Sequence, residues 1–175
     1  MAPPLILTLR MDDSSQEYFD RLRELYFPPE RNHLNAHLTL FHKLPGEQEA
    51  KISTEIREIC REYEPLTLAV RDLRFLGRGV AYELSSPQLS ALRRELVRSW
   101  APWLGAQDSQ GFKPHITVQN KVSPEQARAL HQELQAAFAP LEVEGLGLSL
   151  WRYLNGPWEP AGTYLFSAPR NDDGS

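Results

Sequence analysis

The segments His37-Leu38-Thr39-Leu40 and His115-Ile116-Thr117-Val118, here called the His-x-Thr motifs, each place an imidazole and a hydroxyl two residues apart. Leu, Ile, Val and Thr favour strands, and alternate residues of a strand share one face. Two such strands side by side would bring two imidazoles and two hydroxyls into one cleft. An imidazole pKa of about 6.5 allows one ring to accept a proton and the other to donate one. Threonine hydroxyls can donate hydrogen bonds to phosphoryl oxygens, so the motifs predict cleavage of a phosphodiester without a metal ion.

The elements that must position the two motifs occur in a repeated order. A strand, a helix, a His-x-Thr strand, a helix and a strand are predicted in the first half, and the order repeats from Val80 onward. Ser86-Pro87 and Ser123-Pro124 predict two helix starts, because a capping side chain precedes a proline. The first His-x-Thr strand is predicted over residues 36–43, and the other predicted strands cover 4–11, 66–75, 80–84, 141–154 and 163–168. Further helices are predicted to begin near residue 13 and to cover 47–63.

This internal duplication predicts an α+β fold with two pseudo-symmetric lobes around a central cleft that carries the His-x-Thr strands. Each lobe is expected to be an antiparallel sheet with flanking helices. We expect one bilobal domain over residues 1–169, with lobes of 1–78 and 79–169. Residues 170–175 are expected to be a flexible tail.

Composition narrows the class of protein further. The 175 residues carry a formal net charge of −4, which argues against a protein that coats long nucleic acids. Cys60 is the only cysteine, so no intramolecular disulfide can form and a reducing compartment is expected. The N-terminus lacks a signal-peptide pattern and no apolar run has membrane-spanning length. We therefore expect a cytoplasmic monomer without membrane association, cofactor or metal ion.

Strand alternation extends the predicted site beyond the motifs. Phe41 and Gln119, two residues after each threonine, are expected on the cleft side, where Phe41 could stack on a base. Core packing is an equal alternative for Phe41. Lys113 could steer a phosphate into the groove, and a solvated lysine is the alternative. His42 has the wrong parity to join His37 and is expected to be structural or at the surface, while His33 is expected to be solvated.

The segments Ala36-His37-Leu38-Thr39-Leu40 and Gly111-Phe112-Lys113-Pro114-His115-Ile116-Thr117-Val118 resemble the two signatures of the two-histidine (2H) phosphoesterase superfamily. Within that superfamily they resemble the branch of the 2′-5′ RNA ligases or cyclic phosphodiesterases. The resemblance implies metal-free hydrolysis of 2′,3′-cyclic phosphates, or of other 2′-linked diesters, in a nucleotide or RNA terminus. It also implies that some relatives join RNA ends through a 2′-5′ bond by reversing this chemistry. Gln119 departs from the pattern, because relatives often carry an arginine near this position.

In the implied mechanism, one of His37 and His115 activates water and the other protonates the departing ribose oxygen. Thr39 and Thr117 hold the phosphate. Which histidine plays which role depends on whether the 2′ or the 3′ oxygen leaves, and the sequence leaves this open together with the natural substrate. The alternative function is a nucleotide-binding module that uses the same cleft without turnover. The presence of all four motif residues favours the enzyme.

Overall fold

The computed structural model describes residues 1–169, in which an antiparallel sheet of seven strands carries flanking helices. This arrangement confirms the predicted α+β class. The proposed lobe boundary at residue 78 stays a prediction, and the predicted tail lies outside the described residues. None of the helices in this part of the chain is long and apolar enough to cross a membrane. The elements are β1 (Leu5–Met11), α1 (Asp13–Tyr26), β2 (Thr39–Leu44), α2 (Glu49–Cys60), β3 (Leu66–Phe75), β4 (Val80–Ser85), α3 (Pro87–Trp100), α4 (Ala106–Ser109), β5 (His115–Gln119), α5 (Pro124–Ala136), β6 (Leu141–Tyr153) and β7 (Trp158–Leu165).

The two His-x-Thr strands lie at opposite ends of the strand order. That order is β2-β1-β6-β3-β4-β5, with β7 also paired to β6. The pairing of β3 with β6 joins a half that contains β2 to a half that contains β5. Because side chains from β2 and β5 nevertheless line one cavity, the sheet curves until its two ends face each other.

The helices begin where their capping residues predict. The Asp12 side chain accepts a hydrogen bond from the Ser15 amide at the start of α1. Ser86 caps α3, and Ser123 and Gln126 form a capping box at the start of α5. The helices pack on the sheet, with α1 against β5 and α5 against β3, and α2, which has no side-chain cap, against β6 and β7.

The β6–β7 hairpin extends the sheet further than predicted, because β7 begins at Trp158 rather than at Thr163. Asn155 and Gly156 form a two-residue turn in which both residues have positive φ, 61° and 142°. Asn-Gly pairs favour such hairpin turns. The Leu154 amide donates to the Pro157 carbonyl across this turn, so pairing starts directly after it.

A β-bulge in β2 changes the face on which its side chains lie. Thr8 of β1 pairs with Thr39, whereas the preceding residue, Leu7, pairs with Phe41, so Leu40 is the extra residue. A bulge reverses the alternation of the residues beyond it. Leu40 and Phe41 therefore both face the core, and Phe41 lies there rather than on the cleft side.

The second motif carries the equivalent bulge. Ala81 of β4 pairs with Thr117 and Val80 pairs with Gln119, so Val118 is the extra residue of β5. Gln119 is consequently buried, with 7% of its surface exposed, and its Oε1 atom has no hydrogen-bond partner within the described residues. The expectation that Gln119 faces the cleft is therefore wrong, as is the cleft position expected for Phe41. In both strands a bulge directly after the threonine reverses the side-chain alternation.

The position of Phe41 gives a test of the core. Its ring is fully buried and lies edge-on to Trp100 at 5.1 Å. We expect Phe41→Ala to lower the free energy of unfolding by about 3–5 kcal/mol, because the cavity left behind is only partly refilled. Urea denaturation measures this change. Phe75→Ala, at a ring that is 40% exposed, is the matched control, and an equal cost for both substitutions would contradict the core position of Phe41.

Candidate active site

The side chains of both His-x-Thr motifs line one cavity of about 210 Å³, here called the histidine cavity. It lies where the two ends of the curved sheet meet. The structure thus brings His37, Thr39, His115 and Thr117 together, while their catalytic roles stay a prediction. The rest of the lining consists of Ile6, His42 and Trp158.

Both motif histidines are oriented by the same backbone contact. The Nδ1 atom of His37 lies 2.8 Å from the Asn35 carbonyl oxygen, and that of His115 lies 3.0 Å from the Lys113 carbonyl oxygen. A carbonyl only accepts hydrogen bonds, so we assign the proton of each neutral ring to Nδ1. Nε2 is then the unprotonated nitrogen that remains for a ligand. Lys113 contributes this carbonyl, whereas its side chain is exposed and does not line the histidine cavity.

The environment of His37 favours its neutral form. Burial lowers its pKa to about 4, and the charges of Arg23 and of the neighbouring imidazoles act in the same direction, against the hydrogen bond to Asn35. The ring also lies against the indole of Trp158, with ring centroids 4.8 Å apart. At neutral pH His37 is therefore able to accept a proton.

His115 is also shifted toward its neutral form. Burial lowers its pKa, the charge of Arg74 adds to this effect, and the Lys113 carbonyl and Glu83 oppose it. Arg74 donates through Nε to Glu83 at 2.8 Å, and its Nη1 lies 3.3 Å from His115 Nδ1. Because we assign the Nδ1 proton to the shorter contact with the Lys113 carbonyl, the Arg74 contact acts on His115 through its charge and not as a hydrogen bond. An anionic ligand in the cavity would counter these effects, because a negative charge stabilises an imidazolium.

His42 is a third imidazole in the histidine cavity, contrary to the expectation from strand alternation. The bulge at Leu40 moves it to the same side as Thr39. Its Nδ1 atom and its amide donate to Asp108, at 3.1 and 2.8 Å, and the Lys43 amide donates to the other carboxylate oxygen. Burial opposes ionisation of Asp108, but these hydrogen bonds lower its pKa overall. The ionised Asp108 carboxylate therefore accepts the hydrogen bond from Nδ1 and fixes the orientation of the His42 ring.

Two buried arginines hold the motif strands from the opposite half of the chain. Arg23 of α1 donates to the Thr117 carbonyl at 3.1 Å, and Arg93 of α3 donates to the Leu40 carbonyl at 2.9 Å. Burial lowers the pKa of both guanidinium groups. Sequence analysis missed both residues, since an arginine on a helix is usually solvent-exposed.

Two further cavities adjoin the histidine cavity through His37. One of about 300 Å³ contains Thr8 and Trp151, and the other, of about 610 Å³, contains Arg23 and Thr117. His33 is exposed but lines both of them. Within residues 1–169, no group of three or more His, Cys, Asp or Glu side chains is placed to hold a metal ion.

The pKa of His37 can be tested by its effect on stability. Between pH 6.5 and about 4 the unfolded chain binds a proton at this residue and the folded chain does not. This contribution to the free energy of unfolding is complete above pH 6.5 and is lost as the pH falls toward 4, to a limit of about 3.5 kcal/mol at about 1.4 kcal/mol for each unit of pKa difference. We expect His37→Gln to remove this part of the pH dependence in urea denaturation. An NMR titration that finds His37 protonating at pH 6.5 or above would contradict the assignment.

Solved structures share this fold over nearly the whole chain. TT0787 of Thermus thermophilus matches with a TM-score of 0.69 and 16% identity, covering 94% of this chain and 98% of that one. Escherichia coli LigT complexed with 3′-AMP matches with a TM-score of 0.61 and 19% identity, covering 95% and 99%. At these identities the likeness establishes a common architecture.

The family follows from a sequence match. A comparison with curated protein sequences finds no significant match. A family model described as the 2′-5′ RNA ligase superfamily matches residues 11–157, which include both His-x-Thr motifs and the strands that carry them. The chain therefore belongs to the 2′-5′ RNA ligase superfamily of two-histidine phosphoesterases, as its motifs predict.

Proposed function

We propose that this protein is a metal-independent phosphodiesterase that acts on 2′,3′-cyclic phosphates, or on other 2′-linked diesters, of nucleotides or RNA ends. The observation that carries the proposal is the equivalent orientation of His37 and His115. Each ring donates through Nδ1 to a carbonyl two residues earlier, and both rings line one cavity beside a threonine. Two Nε2 atoms are thereby available to a single ligand, as acid–base catalysis on one phosphate requires.

The proposed reaction uses the two rings in opposite protonation states. One neutral imidazole takes a proton from water while the water oxygen forms a bond to phosphorus. The other, as an imidazolium, gives its proton to the ribose oxygen whose bond to phosphorus breaks. The product is a phosphomonoester, and Thr39 and Thr117 donate hydrogen bonds to its oxygens. Because the pKa of both histidines is lowered, the ring that acts as the acid depends on the substrate's negative charge to hold its proton.

The solved relatives support a phosphate-bearing ligand. LigT structures are complexed with 3′-AMP, with phosphate and with ATP, and each shares the fold of this chain. With a ribose 5′-hydroxyl in place of water as the nucleophile, the same two proton transfers would join RNA ends through a 2′-5′ bond as the P–O3′ bond of the cyclic phosphate breaks and O3′ takes the proton. The competing function is a nucleotide-binding module, and it predicts binding of adenosine monophosphate without cleavage of any diester.

The direct test is incubation with each nucleoside 2′,3′-cyclic monophosphate in the presence of a chelator. We expect turnover to a phosphomonoester, and its 2′ or 3′ position identifies the leaving oxygen.

His37→Ala and His115→Ala should each lower kcat/KM by about 10²- to 10⁴-fold, because each removes a proton-transfer group. Thr39→Val should cost about 10²-fold or somewhat more, and Thr39→Ser, which keeps the hydroxyl, should cost less. Full activity of either alanine variant would remove that histidine from the mechanism.

His42 gives a second test of the site. Its ring lies in the histidine cavity and donates through Nδ1 to Asp108. We expect it to bind substrate as an imidazolium between that carboxylate and the phosphate, and to donate through Nε2 to a phosphoryl oxygen. His42→Ala should lower kcat/KM by about 10- to 100-fold, which is less than the loss at His37 or His115. His42→Gln, which retains a hydrogen-bond donor, should recover part of it. Unfolding free energies of both variants serve as the control, since a purely structural role predicts that activity follows stability.

A further inference from the structure

The two His-x-Thr motifs resemble each other up to the bulge and differ directly after it. His42 lies two residues beyond the bulge at Leu40, and Asn120 lies two residues beyond the bulge at Val118. His42 lines the histidine cavity, whereas Asn120 does not. The Asn120 side chain instead accepts a hydrogen bond from the Lys121 amide at 2.9 Å. The duplication of the motif therefore does not account for the third imidazole, which makes one wall of the cavity different from the other.

Asp108 holds the His42 ring from outside the strand. The two residues are 66 positions apart, and Asp108 is only 2% exposed. One carboxylate oxygen accepts hydrogen bonds from the amide and from Nδ1 of His42, and the other accepts from the Lys43 amide. The two backbone amides fix the carboxylate, and the carboxylate fixes the ring. Because Nδ1 is used in this contact, Nε2 is the ring nitrogen that remains for a ligand.

The backbone of Asp108 is anchored to the same strand. Arg93 donates through Nη2 to the Asp108 carbonyl at 2.6 Å and through Nε to the Leu40 carbonyl at 2.9 Å. This arginine is 7% exposed, so its position is determined by the packing around it. One side chain therefore holds both the residue that orients His42 and the strand that carries His42. A ring held in this way is pre-organised and loses little conformational freedom when a ligand binds.

The three imidazoles of the histidine cavity differ in their charged neighbours. Within residues 1–169, His42 is the only one of the three with a carboxylate within 4.0 Å. His37 lies against the Trp158 indole, and His115 lies beside the Arg74 guanidinium. A neighbouring carboxylate favours an imidazolium, whereas an apolar surface or a second cation disfavours it. His42 is therefore the ring best placed to give a charge-assisted hydrogen bond to an anion.

We propose that Asp108 is a positioning residue, which holds His42 so that its Nε2 group donates to one of the two non-bridging oxygens of the bound phosphate. This inference rests on the proposed function and adds the group that selects the orientation of the phosphate. Two equivalent motifs could hold a cyclic phosphate in two orientations related by a half-turn, which exchanges its non-bridging oxygens. The His42 hydrogen bond exists on one side of the cavity only, so it stabilises one of these orientations.

The two diastereomers of a nucleoside 2′,3′-cyclic phosphorothioate test this contact. Each carries sulfur in place of one non-bridging oxygen, and sulfur accepts hydrogen bonds more weakly than oxygen. We expect wild-type kcat/KM to favour one diastereomer by about 10- to 100-fold, a range typical of a charge-assisted hydrogen bond. His42→Ala should remove most of this preference, because the remaining donors belong to the duplicated motifs.

Asp108→Asn keeps the shape of the side chain and removes its charge. It should lower the diastereomer preference as His42→Ala does, and the double variant should lose no more, because Asp108 acts through His42. Asp12→Asn is the matched control, since the Asp12 carboxylate also accepts hydrogen bonds from two backbone amides, those of Ser15 and Glu144, but contacts no imidazole. This control should keep the preference. A wild type that cleaves both diastereomers equally, or a preference that survives either His42→Ala or Asp108→Asn, would overturn the inference.

An NMR measurement separates this inference from the proposed function and uses the wild-type chain, so it stands even if Asp108→Asn does not fold. Protein with ¹⁵N-labelled histidine is titrated with inorganic phosphate, and the His42 signals are identified by their loss in His42→Gln. We expect the His42 ring to carry a proton on Nδ1 and, with phosphate bound, a second proton on Nε2. This result would support the contact even if no diester is cleaved. His42 signals that do not respond to phosphate, or a ring that stays neutral in its presence, would overturn it.

Discussion

Hydrogen bonding of the backbone at the two ends of the sheet is the constraint on which the site depends. An edge strand presents carbonyl groups without a sheet partner, and a buried carbonyl is costly unless it accepts a hydrogen bond. In this fold Arg23 and Arg93 supply the donors to Thr117 and Leu40, each from a helix of the opposite half of the chain. These contacts join the two ends of the sheet at the residues that follow the motif histidines, and so they hold the two motifs on opposite walls of one cavity.

The same burial that holds the motifs sets the electrostatics of the site. Packing against Trp158 and the removal of water keep His37 neutral, and burial shifts His115 in the same direction. A pair of imidazoles that are both neutral is ready to accept protons but lacks an acid. In the proposed reaction the negative charge of the substrate stabilises one imidazolium and so favours formation of the acid.

The paired bulges explain why strand alternation predicts the motifs correctly and the residues after them incorrectly. His37 and Thr39 precede the bulge at Leu40, so the period of two holds for them. Phe41 and His42 follow it and exchange their expected faces, which places Phe41 in the core and His42 in the cavity. A bulge has no strong signal in a short apolar strand, because Leu and Phe fit either face of a sheet. Trp158, in contrast, could have been placed from the Asn-Gly turn that precedes its strand.

Local sequence patterns specify most of the helices and strands of this protein and the chemical groups of its site. Helical periodicity, capping residues such as Ser86 and Ser123, and the repeated His-x-Thr motifs are local properties, because they depend on side chains within a few positions of one another. Which of these groups share a cavity depends on how the distant parts of the chain pack together. Arg23 meets Thr117 and His42 meets Asp108 across long stretches of chain, through the curvature of the sheet and its bulges. These contacts depend on packing between distant segments, which no local pattern encodes.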